Sequence, residues 1–197
     1  IVLEWIGAPY QAIRMDRESI KAPEYLAMNP TGAVPLLVDG DFRLTQNVAI
    51  LWYLAERHSA SELLGGSTLR GRAEVLRWLS LLNSDLHPAF KPIFSPGSFL
   101  ANETYADQLA NTARENVRRY LRILDRQLEG REWLADQRSV ADPYLFVMLR
   151  WSIRLDIGLK GFEQLGGFLQ RMYADRGVRT ALVAEEGETA AYSAATI

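Results

Sequence analysis

The chain has 197 residues, of which 48% are hydrophobic and 23% charged, the balance of a globular protein with a sizeable core. A net charge of −2 argues against a nucleic-acid footprint, which needs a basic patch or stripe, and no run of about 18 apolar residues predicts a membrane span. Cysteine is absent and histidine numbers two, His58 and His87, so the sequence predicts no disulfide framework, no thiolate metal site and no multi-histidine metal site.

Ile1 to Gly7 reads as the last turns of an amphipathic helix stopped by glycine. Tyr10 to Met15 alternates apolar and polar residues and predicts a half-buried strand, and Arg17 to Ala22 a charged loop. Pro23 to Met28 is a short helix with proline at its start. Asn29-Pro30-Thr31-Gly32 is a turn by composition. Val34 to Val38 is apolar enough for a buried strand, Asp39-Gly40-Asp41 turns the chain, and Phe42-Arg43-Leu44 returns. Thr45-Gln46-Asn47 leads a helix over residues 48–57, with Asn47 as a natural N-cap and Ile50, Leu51, Tyr53 and Leu54 at helical spacing.

Ser59 to Ser67 is polar and reads as a linker. Every periodic segment after it is helical. Leu69 to about Phe90 carries Val75, Leu76, Leu79, Leu82 and Leu86, and a break is expected over residues 91–97. Glu103 to Leu128 follows, closed by Gly130. Ser139-Val140-Ala141-Asp142 has the shape of a capping box, with Asp142 where Glu or Gln is usual. Tyr144 to Leu155 and Phe162 to Tyr173 are further helices, and Thr189 to Ile197 is small, polar and expected to be loose.

Two features carry ligand chemistry. Val34-Pro35 reads either as a proline on an edge strand or as a cis dipeptide that turns the N–H and C=O of Val34 outward, where an extended peptide can pair with them. Gln46-Asn47 stands at a helix entrance, where unpaired N–H groups and the helix dipole hold carboxylates. Together they describe a site for a small peptide with a free amino-acid end.

The run from Pro23-Glu24-Tyr25-Leu26 through Asn29-Pro30-Thr31-Gly32-Ala33-Val34-Pro35-Leu36-Leu37 and Leu44-Thr45-Gln46-Asn47-Val48-Ala49-Ile50 to Tyr53-Leu54-Ala55 resembles the glutathione-binding half of cytosolic glutathione transferases. Asp85-Leu86-His87-Pro88-Ala89-Phe90-Lys91-Pro92-Ile93-Phe94 and Ser139 to Phe146 resemble the second half, most of all the bacterial beta class. The resemblance implies an α+β protein: a thioredoxin-like α/β domain over residues 1–60, incomplete at its start, then an all-α domain over residues 68–185. It implies glutathione as co-substrate, no metal, a bacterial cytoplasmic detoxification enzyme, and a homodimer with a small electrophile, peroxide or disulfide as second substrate.

By the same resemblance Ala33, Val34 and Pro35 meet the cysteinyl unit of glutathione, Gln46 and Asn47 the γ-glutamyl end, and Lys21 the glycyl carboxylate. Asn47 stands where the family usually has Ser or Gly. His87 is an accessory group for the thiol, and its plainer reading is a helix-face histidine capping a local carbonyl. Phe90, Phe94, Tyr144 and Trp151 are candidates for a second-substrate pocket or for core, and Asp85 for a residue lent to a partner's site or for a solvated surface group. Asp142 is given a capping role and no chemistry. The family begins with a strand and a loop bearing a Tyr, Ser or Cys that activates the thiol. No residue here matches that position, so the natural protein is expected to be longer, and the first domain as written to have an unpaired edge, a thin core and poor stability. A glutathione-dependent isomerase or dehalogenase and a non-catalytic regulatory or interaction protein on the same fold remain alternatives.

Overall fold

Gly7 (φ 74°) ends helix α1 (Val2–Ile6) by turning its own N–H back to the carbonyls of Leu3 and Glu4, the left-handed stop that glycine adopts without cost. The computed structural model describes residues 1–100 and 102–186, and these fall into two compact units: residues 1–60 together with the segment from Arg176, and residues 61–175.

In the first unit the strand expected over residues 10–15 does not form. The described sheet has two strands, paired only with each other, so this segment has no ladder to join. Its Ile13 is 72% exposed. Helix α2 (Pro23–Met28) opens on its proline, as expected. Strands β1 (Leu36–Asp39) and β2 (Phe42–Thr45) pair antiparallel around Gly40, with Leu36 opposite Thr45 and Asp39 opposite Phe42. The first strand therefore starts two residues later than Val34, just past Pro35, which has no N–H to give a ladder.

Helix α3 (Asn47–Arg57) buries Ile50, Leu51, Leu54 and Ala55. Tyr53 leans onto the hairpin instead: its hydroxyl donates to Asp39 Oδ2 at 2.8 Å and its ring meets Phe42 at 5.2 Å. Helix α9 (Arg176–Glu186), which the sequence reading omitted, packs on α1 and buries Val178, Ala181 and Leu182. The residues expected to be loose, 189–197, lie outside the described residues.

The second unit is helical throughout. The stretch read as a linker is not loose: residues 61–64 form a 3-10 turn with Leu63 and Leu64 buried, and Leu63 O accepts the Val140 N–H at 2.9 Å. Two leucines in a polar run were the overlooked signal. Thr68 caps helix α4 (Leu69–Leu81) by accepting the Gly71 N–H. The helix then widens to a π-turn over Leu82–Leu86 before helix α5 (His87–Phe94). Proline explains the widening. Pro88 has no N–H for the carbonyl four residues back, and the His87 N–H bonds five back, to Leu82 O. The expected break at Lys91-Pro92 is absent; Pro92 sits inside α5, which runs to Phe94.

Helices α6 (Ala106–Gln127), α7 (Ala141–Arg154) and α8 (Glu163–Ala174) complete this unit. Helix α7 starts three residues earlier than Tyr144, because the cap at Ser139 and Asp142 holds its first turn. The protein is thus a small α/β unit with a two-stranded sheet followed by a helical unit.

Candidate functional site

The first cluster is built on the loop before β1. Asn29 is buried at 2% exposure and fully used: its Oδ1 accepts the Thr31 N–H (3.2 Å) and hydroxyl (2.7 Å), and its Nδ2 donates to Ala33 O at 2.6 Å. The Tyr25 hydroxyl donates to the same carbonyl at 2.6 Å. Lys21 Nζ donates to Gly32 O at 3.3 Å. Gly32 has φ 57°, and a Cβ there would stand 2.9 Å from Lys21 Nζ and 3.1 Å from Ile20 O, so a side chain would both strain the backbone and displace Lys21. The loop is therefore clamped as far as Ala33. Val34, next along, is 60% exposed, and the Val34–Pro35 peptide bond is cis.

The hairpin register places the second half of this cluster. Leu36 faces Thr45, so Pro35 and Gln46 occupy the next positions at the open end of the same ladder. Gln46 has φ 72° and ψ 113°, a backbone region that non-glycine residues avoid. It stands at the N-cap of α3 without a side-chain cap hydrogen bond, and Asn47 is the first helical residue. The expectation that Asn47 caps the helix is corrected: the left-handed turn at Gln46 carries the chain one residue further into the helix. The geometry of a helix start leaves the first N–H groups without intrahelical acceptors; the first intrahelical donor is Ile50 N–H, to Gln46 O at 3.0 Å. Lys21, Ala33, Val34, Pro35, Gln46 and Asn47 thus share one end of the first unit. Sequence reasoning missed Tyr25 and Asn29, the clamps; the Asn-Pro-Thr-Gly turn held the signal, since Asn commonly bonds the backbone two residues on.

The second cluster lies wholly in the helical unit. His87, the first residue of α5, has its Nδ1 at 2.7 Å from the Tyr144 hydroxyl on α7. That hydroxyl donates to Asn83 Oδ1 at 3.3 Å. The His87 ring meets Trp151 edge-on at 5.0 Å, and Trp151 meets Phe90 at 5.6 Å and Phe94 at 5.2 Å. The structure therefore brings His87, Phe90, Phe94, Tyr144 and Trp151 into one aromatic group. They are not equivalent. Phe90 has no exposed surface and serves as core, which corrects its reading as a pocket wall, whereas Phe94 is 47% exposed. His87 is half-buried; burial first, and the Lys91 ammonium one turn on, push its pKa below the ordinary imidazole value. The reading of His87 as a cap for a local carbonyl gives way to its bond with Tyr144.

Asp85 is exposed and accepts the Tyr120 hydroxyl at 3.3 Å. Asp142 is fully buried and accepts the Leu134 N–H (3.0 Å), the Ser139 N–H (2.7 Å) and the Ser139 hydroxyl (3.2 Å). The reciprocal half of a capping box is present, but the Ser139 Oγ receives the Ala141 N–H and not that of Asp142. Burial raises the Asp142 carboxyl to about 6 against these hydrogen bonds, which lower it. Among the described residues no group of three or more His, Cys, Asp or Glu side chains is placed to hold a metal ion, and no helix is long and apolar enough to cross a membrane.

A thioredoxin-like α/β unit followed in the chain by an all-helical unit is the two-part architecture that defines the class of this protein. Residues 1–56 match the glutathione S-transferase N-terminal domain, and residues 74–175 match the C-terminal domain of the same family. The glutathione S-transferase GST-4.5 of Xanthomonas campestris pv. campestris is 44% identical over 186 residues, covering 94% of this chain and 91% of that protein. Among solved structures, the bacterial beta class glutathione S-transferase of Sphingomonas chungbukensis superposes with a TM-score of 0.81 at 34% identity, covering 94% of this chain and 92% of that one. A sphingomonad glutathione S-transferase complexed with glutathione gives a TM-score of 0.81 at 34% identity, covering 93% and 90% of the two chains. The chain belongs to the glutathione S-transferase family, with structural neighbours in its bacterial beta class.

Proposed function

We propose that this protein is a glutathione transferase that activates the glutathione thiol for attack on electrophilic apolar substrates or for glutathione-dependent reduction. The observation that carries the reading is the open end of the β1–β2 hairpin. There an exposed Val34, anchored one residue back by two hydrogen bonds to Ala33 O, stands beside the strained Gln46 at the start of α3. In this reading the Val34 N–H and C=O pair with the cysteinyl backbone as one added rung of sheet. Gln46, Asn47 and the α3 N-terminus receive the γ-glutamyl carboxylate, and Lys21 the glycyl carboxylate. His87 is the accessory catalytic group of this reading, a half-buried imidazole whose pKa burial and Lys91 push below its ordinary value. The half-exposed Phe94 and the partly buried Trp151 contribute the apolar wall for the second substrate.

The test is titration calorimetry of the protein with glutathione, followed by turnover with a chloronitrobenzene, a hydroperoxide and a mixed disulfide. Saturable glutathione binding with turnover on one of these supports the proposal; no binding at millimolar glutathione removes it. Glutathione binding without turnover on any of them would point to the non-catalytic alternative. Homodimerisation is part of the same reading, and a clean monomer by size-exclusion chromatography would count against it.

A further inference from the structure

The Ala33–Val34 peptide unit is gripped at one end and open at the other. Its carbonyl, Ala33 O, receives two hydrogen bonds, from the Tyr25 hydroxyl and from Asn29 Nδ2, each at 2.6 Å. A carbonyl oxygen can only accept, so the direction of both bonds is fixed. The Asn29 amide is fixed as well: its Oδ1 accepts the Thr31 N–H and hydroxyl, which leaves Nδ2 for Ala33. Both donors belong to buried side chains, Tyr25 at 5% exposure and Asn29 at 2%, on α2 and just after it. The Val34 N–H, at the other end of the unit, makes no hydrogen bond to any described residue, and Val34 is 60% exposed.

A peptide unit is planar, and in the trans form its C=O and N–H point in opposite directions. The Ala33–Val34 bond is trans. Two donors that hold Ala33 O therefore set the direction of the Val34 N–H, although neither touches it. We propose that Tyr25 and Asn29 are positioning residues that aim the Val34 N–H at the peptide ligand through the plane of this one peptide unit. This rests on the transferase reading, in which that N–H pairs with the cysteinyl backbone of glutathione. A single hydrogen bond lets the plane turn about it, and a second donor at the other lone pair of the same oxygen restrains the turn. A loose loop amide has to be ordered by its ligand at a cost in affinity; a clamped one is ordered in folding.

Nitrogen-15 relaxation and residual dipolar couplings of the Val34 amide test the clamp in the unliganded protein. In the unaltered protein the Val34 N–H is expected to be as ordered on the ps–ns timescale as the amides of α3, despite its exposure. Tyr25→Phe keeps the buried ring and removes only the hydroxyl; it should lower the Val34 order parameter and change its dipolar coupling, and Asn29→Ala should do the same. Tyr53→Phe is the control: it removes a hydroxyl bond of similar length elsewhere in the same unit, to Asp39 Oδ2 at 2.8 Å, and should leave Val34 unmoved. A Val34 amide that is mobile in the unaltered protein overturns the proposal, as does one that Tyr25→Phe and Asn29→Ala leave unchanged, or that Tyr53→Phe disturbs equally.

Calorimetry and turnover read the ligand side. Tyr25→Phe is expected to bind glutathione about fivefold more weakly, the net worth of one hydrogen bond, and to raise the KM for glutathione by the same factor with kcat unchanged. Tyr53→Phe should bind as the unaltered protein does. Unchanged affinity in Tyr25→Phe, or a fall in kcat at constant KM, would overturn the proposal. No glutathione binding by the unaltered protein removes the transferase reading and the ligand role with it, whereas glutathione bound by a protein whose unliganded Val34 amide is mobile removes the clamp alone.

Discussion

The buried carboxyl of Asp142 gives the most quantitative test of the fold. It has no solvent contact, and burial raises it from 3.8 to about 6 even though two N–H groups and one hydroxyl donate to it. A group whose pKa is raised in the folded state binds its proton more tightly there than in the unfolded chain, so its contribution to stability is complete below the unfolded value and is lost as pH rises through the folded one. For a displacement from 3.8 to about 6 the loss is about 3 kcal/mol. Asp142→Asn removes the titration. Its single amide oxygen can satisfy the Leu134 or the Ser139 N–H, while its NH2 group confronts the other. One buried donor left unpaired costs about 1–3 kcal/mol. Urea denaturation of both proteins across a pH series isolates the term, because all other titrations cancel in the difference. The advantage of the natural protein over Asp142→Asn is expected to be largest at the acid end of the series and to shrink by about 2 kcal/mol between about pH 4 and about pH 7. An advantage that is flat with pH, or that grows as pH rises, would mean that the hydrogen bonds outweigh burial, and would refute the reasoning.

At the ligand end, Asn29→Ala frees the Ala33 carbonyl from one of its two clamps; it should raise the KM for glutathione about tenfold with little change in kcat, and lower stability by about 1–3 kcal/mol in a urea melt. Gln46→Gly relieves a backbone held at φ 72°, so thermal stability should be level or slightly raised, while calorimetry should show glutathione bound about tenfold more weakly for want of the side-chain amide. Asn47→Asp puts a negative charge at the first position of α3; it should stabilise the unliganded protein by about 0.3–1 kcal/mol and weaken binding of the glutathione carboxylate. In the aromatic cluster, Phe90→Ala should cost about 3–5 kcal/mol because the ring is fully buried, whereas Phe94→Ala, half-exposed, should leave stability nearly unchanged and raise the KM for an aromatic electrophile.

Helices with strong apolar periodicity are legible in the sequence, because periodicity reports the buried face: Val75, Leu79, Leu82 and Leu86 are all fully buried, although Leu76, read in the same pattern, is 45% exposed. The hairpin and the start of α3 were legible because Gly40 and the chain entrance to a helix leave local marks. Tyr10 to Met15 was misread because alternation describes a strand only when a neighbour exists to pair with it. Pro92 was read as a break because a proline's local effect is known from sequence, while the packing that holds α5 through it is not. The same division runs through the site. Val34, Gln46 and their neighbours are backbone features set within thirty or so residues, and turn chemistry exposes them. The bond between His87 and Tyr144 joins residues 57 apart in sequence, and no local pattern announces it.

The start of α3 shows why stability and binding pull in opposite directions at one helix end. A Ser, Thr or Asp at the cap would bond the second or third N–H and strengthen the helix by about 1 kcal/mol. It would also occupy the donors that a ligand carboxylate needs. This chain has Gln46 at that position, turned into an unfavourable backbone region with no side-chain bond to the helix, and Asn47 displaced to the first turn. The helix therefore forgoes its own cap, and the hairpin and α3 core hold Gln46 in place: Thr45 is paired to Leu36 on one side, and Ile50, Leu51 and Leu54 are buried on the other. In the proposed reading, a strained residue maintained between two well-packed elements, with helix donors beyond it, would serve as a preorganised carboxylate site, because the cost of ordering it is met in folding and does not recur on binding.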